Sequence, residues 1–281
     1  CTLEKKAQKS FNLGKYQKTI NYYTGKLAKN PGNGKANYLV AESYRLSNRI
    51  KEAAPFYAKA KGRGLPEDTI LFYHSKSLQA NGQYEEAKSK IDELIEITSN
   101  DDFRDRAKKE LEGLDYLSQL KNKKSYYRIK NLEAINTPFT EYAPAYLNNE
   151  IYFTSSRSNS KIYEASGTPF TDLYKAQSQG ANVDISTVQP LSSLVNDDAI
   201  NEGCITFTPD GKTMVFAKGN SGKRKGTQDV DLYISRFRNG EWGEPRALNI
   251  NRPESWESTP AFSPDGRTLY FSSNRKGGYG G

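Results

Sequence analysis

Residues 257–275, "ESTPAFSPDGRTLYFSSNR", decide how the second half of this chain is built. One strand-forming run precedes Pro264-Asp265-Gly266, and an aromatic run follows it. Pro presets φ for a turn, Asp accepts bonds from nearby backbone, and Gly takes the left-handed position that closes it. The stretch therefore predicts a β-hairpin. Two further passages align with it: "EYAPAYLNNEIYFTSSR" (141–157) and "EGCITFTPDGKTMVFAKGN" (202–220). Each begins with Glu, runs an apolar strand, turns, and runs a second strand. The leading residues, Glu141, Glu202 and Glu257, lie 61 and then 55 positions apart. After the first two passages comes a third short strand, "DLYKA" (172–176) and "DLYISRF" (231–237). The second of these continues through "RNGEWGEPRAL" into a fourth strand, entered by Asn239-Gly240. Four short antiparallel strands at this repeat length make one blade of a β-propeller. Residues 132–281 are thus expected to form an incomplete antiparallel propeller. In that register "FSPDGRTLYFSSNRKGGYGG" (262–281) supplies the first hairpin of a third blade and the loop after it. Three partial blades cannot close a ring and would leave an open edge, so more blades and a further domain are expected beyond Gly281.

The first half has a different period. "LGKYQKTINYYTGKL", "SNRIKEAAPFYAKAK" and "NGQYEEAKSKIDELI" fall in register at 34 residues. Gly14, Asn48 and Gly82 are 34 apart, as are Tyr16, Ile50 and Tyr84, then Thr19, Ala53 and Ala87, then Tyr23, Tyr57 and Ile91. The pattern resembles the tetratricopeptide repeat, in which two helices meet at a turn that Gly or Asn tolerates. Asn30-Pro31 ends the first unit in the family's manner, while "KGRGLPED" (61–68) and "TSN" (98–100) depart from it. A further run, "DDFRDRAKKELEGLDYLSQL", places Phe103, Ala107, Leu111, Leu114, Leu117 and Leu120 on one face behind an Asn100 cap. It reads as the capping helix a solenoid needs. The expected organisation is α + β in two domains: a helical solenoid over residues 1–120, a basic linker "KNKKSYYRIKN" over 121–131, and the propeller.

Composition agrees with thin repeat cores. Apolar residues make up 35% of the chain and mean hydropathy is −0.82. No run is long and apolar enough to span a bilayer as a helix. Residues 1–60 hold twelve Lys or Arg and three acidic residues, close to the whole net charge of +8. That basic end suits either an anionic membrane surface or a solvated helix face. A nucleic-acid partner is not expected, because these charges are spread along helices without a recognition motif. Cys1 stands first and resembles the processed end of a bacterial lipoprotein, which carries lipid on that residue; an arbitrary chain boundary is the other reading. A Cys1–Cys204 disulfide is not expected.

No catalytic set emerges. His74 is the lone imidazole and sits where a helix packs, so a Ser-His-Asp or Cys-His pair would have to recruit it from the far domain. "GNSGKRKG" (219–226) lacks the spacing of a phosphate loop and reads as a basic loop between strands. Asp229 and Asp231 lack the Gly and distal Glu of a calcium loop. Cys204 reads as a small buried strand residue without the partners of a zinc site. No metal and no cofactor is expected. A binding surface remains. On this register Tyr38, Glu42, Arg45, Phe72, Lys76 and Gln79 face the solenoid's concave side, where they serve a partner, internal packing or solvent.

The third hairpin resembles the "SPDG…LYFSSNR" blade of TolB-type, WD-like propellers, over residues 135–281. Helical repeats followed by such a propeller, behind a lipoprotein-like Cys, resemble the PorE-type outer-membrane lipoproteins of Bacteroidota. That resemblance implies a non-enzymatic scaffold on the periplasmic face of the outer membrane, bound to protein partners of a type IX secretion-like complex. It also implies a later OmpA-like domain that grips peptidoglycan. "CTLEKK" lacks the acidic run linked with surface export in this group. Two other readings stand beside it: a propeller that binds a small molecule or peptide, and a hydrolase.

Overall fold

The computed structural model describes residues 3–120, 123–124, 126–127, 129–133, 135–158, 160–180, 182–219 and 230–277. The protein is α + β. It divides into two compact units, residues 1–128 with 164–166, and residues 129–163 with 167–281.

The first unit contains α1 (Leu3–Asn12), α2 (Tyr16–Leu27), α3 (Gly34–Leu46), α4 (Ile50–Tyr57), α5 (Glu67–Ala80), α6 (Tyr84–Ile97) and α7 (Asp101–Leu120). Each helix packs on the next in sequence, and α7 also touches α5. The 34-residue register has a physical origin in three identical turns. Gly14, Asn48 and Gly82 all take positive φ, at 72°, 59° and 76°. The next amide reaches back five residues in each case: Lys15 N to Ser10 O at 2.9 Å, Arg49 N to Tyr44 O at 2.8 Å, and Gln83 N to Leu78 O at 2.9 Å. This is the helix stop in which a left-handed residue lets orphan carbonyls find donors. Three positions into each following helix sit Thr19, Ala53 and Ala87, all fully buried. Their small side chains let neighbouring helices approach closely. One turn further, Tyr23, Tyr57 and Ile91 fill the space between helices.

Helix α7 begins as its sequence demands, with Asp102 N and Phe103 N donating to Asn100 Oδ1 at 3.0 and 3.3 Å. Phe103, Ala107 and Leu111 join the core beside Phe72 and Ile91, and Leu114 packs on Leu78 and Ala87. The expected apolar face runs out at its end, because Leu120 is exposed.

The second unit holds three antiparallel sheets built on one plan, and one short hairpin. The first sheet starts with β1 (Glu141–Leu147) and β2 (Glu150–Ser155). The hairpin β3 (Ile162–Tyr163) and β4 (Thr168–Pro169) follows, then β5 (Asp172–Gln179), β6 (Asn182–Val183) and β7 (Gln189–Pro190). The order is β1-β2-β5, with β6 and β7 sharing the far edge of β5. The second sheet contains β8 (Asn201–Phe207), β9 (Thr213–Gly219), β10 (Val230–Arg238), β11 (Glu241–Trp242) and β12 (Arg246–Ala247). Its order is β8-β9-β10, again with two short pieces, β11 and β12, along the outer edge. The third is the hairpin of β13 (Glu257–Phe262) and β14 (Leu269–Ser273).

The hairpin turns follow their sequence signal. In Thr208–Gly211 and Ser263–Gly266 the Asp carboxylate accepts the leading hydroxyl at 2.6 Å, and the Gly amide closes the turn at 2.8 Å. The first strands of successive sheets lie side by side, β1 by β8 and β8 by β13. Between the first two sheets Tyr152, Leu173, Met214, Phe216 and Trp242 form one core. Leu132 and Ile135, just past the segment read as a linker, join another core with Ile151, Phe153 and Tyr174.

One feature of these sheets escapes a pattern reading. Ala143, Cys204 and Thr259 have φ of 52°, 54° and 46°. Each lies two residues after its leading Glu, and in each hairpin the pairing slips at that point. These are β-bulges on non-glycine residues, and each left-handed residue carries a strain of about 1 kcal/mol. Cys204 is therefore not the plain buried strand residue expected. It is half-buried on a bulge, as a free thiol.

Candidate functional site

The six residues read as a groove fall into two groups that are busy with each other. On α3, Arg45 donates to both oxygens of Glu42 at 2.9 and 2.7 Å, and the Tyr57 hydroxyl donates to Glu42 Oε1. The Arg45 guanidinium also lies 4.0 Å from the centre of the Tyr73 ring. Burial pulls Arg45 down, but the hydrogen bonds and charge of Glu42 outweigh it and hold the guanidinium above its ordinary range. Burial and the Glu42 charge push Tyr57 and Tyr38 upward. Glu42 is thus a buried carboxylate with its charge matched.

On α5, Lys76 reaches both oxygens of Glu110 at 3.0 Å, and Gln79 approaches the same carboxylate at 3.4 Å. Phe72 packs edge-on against Phe103, with Arg106 4.4 Å above its ring. Two of the six positions are consequently closed to a partner, since Glu42 is 5% exposed and Phe72 4%. Glu42 is closed by Arg45 and by Tyr57 of α4, whereas Phe72 is closed by Phe103 and Arg106 of α7, which covers that face of α5. Tyr38, Arg45, Lys76 and Gln79 keep partial exposure and define what remains open on α3 and α5.

His74, Ser75 and Ser77 are buried and held by packing and backbone hydrogen bonds. His74 is buried beside Tyr57, and burial followed by the Lys90 charge lowers it to about 4. It is a neutral imidazole at ordinary pH. The hydroxyls of Ser75 and Ser77, nearby on α5, are spent on the carbonyls of Ala87 and His74. Among the described residues no group of His, Cys, Asp or Glu could hold a metal ion. A polar depression of about 420 Å³ lies between Asn149, Gln177, Asn182 and Asp184 and contains no nucleophile paired with a base. Cys1, Asp229 and all of the 219–226 basic loop after Gly219 lie outside the described residues.

The sheets bury three carboxylates that motif reasoning passed over. Glu141 accepts from Thr137 N, Thr137 Oγ1 and Ser155 Oγ at 2.9, 2.7 and 2.8 Å, with Arg157 at 3.3 Å. Glu257 accepts from Arg252 N, Ser255 Oγ, Ser273 Oγ and Arg275 at 3.1, 2.8, 2.8 and 2.9 Å. Arg157 and Arg275 also donate to the preceding loop, at Ile135 O and Ile250 O. Each set is a latch that ties a bulged first strand, its neighbour and the incoming loop together. The middle latch is built otherwise. Lys218 stands opposite Glu202, where Ser155 and Ser273 stand in the other two. Its Nζ lies 3.1 Å from Glu202 Oε1, an oxygen that accepts no hydrogen bond among the described residues, and donates to Val195 O. The signal for these latches was present in the sequence: a charged residue opening all three apolar strands.

Comparison with known proteins adds little. No family model matches the chain, and no curated protein matches it. Among solved structures it is similar to a prolyl endopeptidase, one of two described in a structural and mechanistic study of inter-domain dynamics in catalysis and specificity. Identity is 11%, the TM-score is 0.26, and the match covers 47% of this chain and 26% of that one. A likeness that low identifies neither fold nor activity.

Proposed function

We propose that this chain is a non-enzymatic scaffold: a tetratricopeptide-type solenoid joined to a WD-like propeller, with a protein partner bound on the open part of α3 and α5. One observation carries the reading. Three helix stops repeat at 34 residues with the same left-handed residue and the same back-reaching bond, at Gly14, Asn48 and Gly82. Such stacked helical hairpins present extended binding faces. The three Glu-led hairpins support the propeller half in the same way.

The resemblance to PorE-type lipoproteins supports a scaffold on the periplasmic side of the outer membrane, held by lipid on Cys1, with an OmpA-like domain gripping peptidoglycan. Photo-crosslinking from Tyr38 and Gln79 tests the partner face, with Tyr84 on α6 as the control. A defined adduct from the first two and none from Tyr84 is expected. Equal or absent adducts at all three positions overturn it. Membrane fractionation of Cys1→Ser tests the anchor, and retention of that variant on washed outer membranes refutes it.

A further inference from the structure

The segment read only as a linker carries the most exposed large apolar side chains among the described residues. Tyr126, Tyr127 and Ile129 are 87%, 85% and 93% exposed, against 69% for the next, Leu3. They lie outside helix and strand. Lys123, Lys124 and Lys130 flank them, and Lys121 and Arg128 belong to the same stretch of sequence. No Asp or Glu occurs anywhere in residues 116–132. Lys123 rests on the ring and hydroxyl of Tyr116, a neutral partner.

We propose that Lys123, Lys124, Tyr126, Tyr127, Ile129 and Lys130 dock on an anionic lipid surface. Two adjacent tyrosines combine an apolar ring with a polar tip, which suits them to the headgroup level of a bilayer. Ile129 favours lipid over nucleic acid: an aliphatic side chain has no face on which a base stacks, but it partitions readily among acyl chains. The surrounding lysines supply the attraction, which acts within a Debye length of anionic headgroups. The docking is separate from any lipid on Cys1 and does not depend on it.

The test uses the full chain with Cys1→Ser, so that an acyl anchor cannot contribute. Co-sedimentation is measured with phosphatidylcholine vesicles, with the same vesicles containing phosphatidylglycerol, and with a single-stranded oligonucleotide as the competing class. Binding is expected only to the anionic vesicles and should weaken at high salt. Lys123→Gln/Lys124→Gln/Lys130→Gln should lower it by about 30-fold or more, at several-fold per charge. Tyr126→Ser/Tyr127→Ser/Ile129→Ser should lower it about tenfold, including at the salt where charge attraction is screened. These side chains are nearly fully exposed, and far-UV circular dichroism together with tryptophan fluorescence verifies that each variant is folded. The proposal fails if the aromatic variant binds vesicles like the parent. It also fails if the oligonucleotide binds more tightly than the vesicles, or if neither triple variant changes the partition.

Discussion

Glu202 and Glu257 occupy the same place in successive repeats, both fully buried, yet their surroundings drive them in opposite directions. Burial penalises both charges. At Glu257 four donors answer it, two hydroxyls, a backbone amide and a guanidinium, and the carboxyl falls below its ordinary value. Glu141 has the same kind of set and shifts the same way. At Glu202 the described residues offer the ammonium of Lys218 and one long amide contact at 3.3 Å, so burial wins and raises the carboxyl to about 8. A buried carboxylate is therefore stabilising or costly according to its donors, not its depth or the mere presence of a cation.

The largest expected effect tests whether the Glu257 latch is a working set. Glu257→Ala should leave Arg275 without its carboxylate and cost about 3–5 kcal/mol. Urea denaturation followed by tryptophan fluorescence measures this in the right place, because both tryptophans, Trp242 and Trp256, lie in the sheet unit. A cost under about 1 kcal/mol, the level of an exposed ion pair, would break the comparison.

Glu202→Gln should do the reverse. With its folded value near 8 and its ordinary value at 4.5, Glu202 costs no stability below about pH 4.5 and progressively more as pH rises through 8. The amide should therefore gain about 4 kcal/mol at pH 8 and almost nothing at pH 4.5. Glu257 has the opposite sign: its contribution is present above 4.5 and is lost as pH falls through its lowered folded value. If Glu257→Gln shows the same pH profile as Glu202→Gln, the distinction between the latches is wrong.

The bulge inside the middle repeat offers a smaller test. Cys204→Val should cost about 1–2 kcal/mol, because a β-branched residue resists φ of 54°, while Cys204→Gly should be near neutral. Equal effects from the two would mean that the left-handed backbone does not matter there. The smallest change is expected in the helical unit, where Gly14→Ala should cost about 1 kcal/mol. Far-UV circular dichroism of the helical transition is the measurement, and a stabilised variant would contradict the left-handed stop.

Much of this arrangement was legible in the sequence because its causes are local. A helix stop at Gly14, Asn48 or Gly82 closes over five residues, and the Asp265 turn over four, so period and composition reveal them directly. The groove was only half legible. Tyr38 and Arg45 keep an open side, but Phe72 is covered by Phe103 and Arg106, about thirty residues on. The positive φ at Ala143, Cys204 and Thr259 carried no glycine to announce it.

By itself, then, the sequence determined the two periods, the turns that punctuate them and the small residues at each helix crossing. Only the tertiary structure decided which carboxylates are held charged. The donors to Glu257 come from Arg252, Ser255, Ser273 and Arg275, on both sides of the hairpin, while Glu202 meets Lys218 in place of serine. Desolvation and hydrogen bonding sum over everything packed around a group, and no stretch of chain contains that sum.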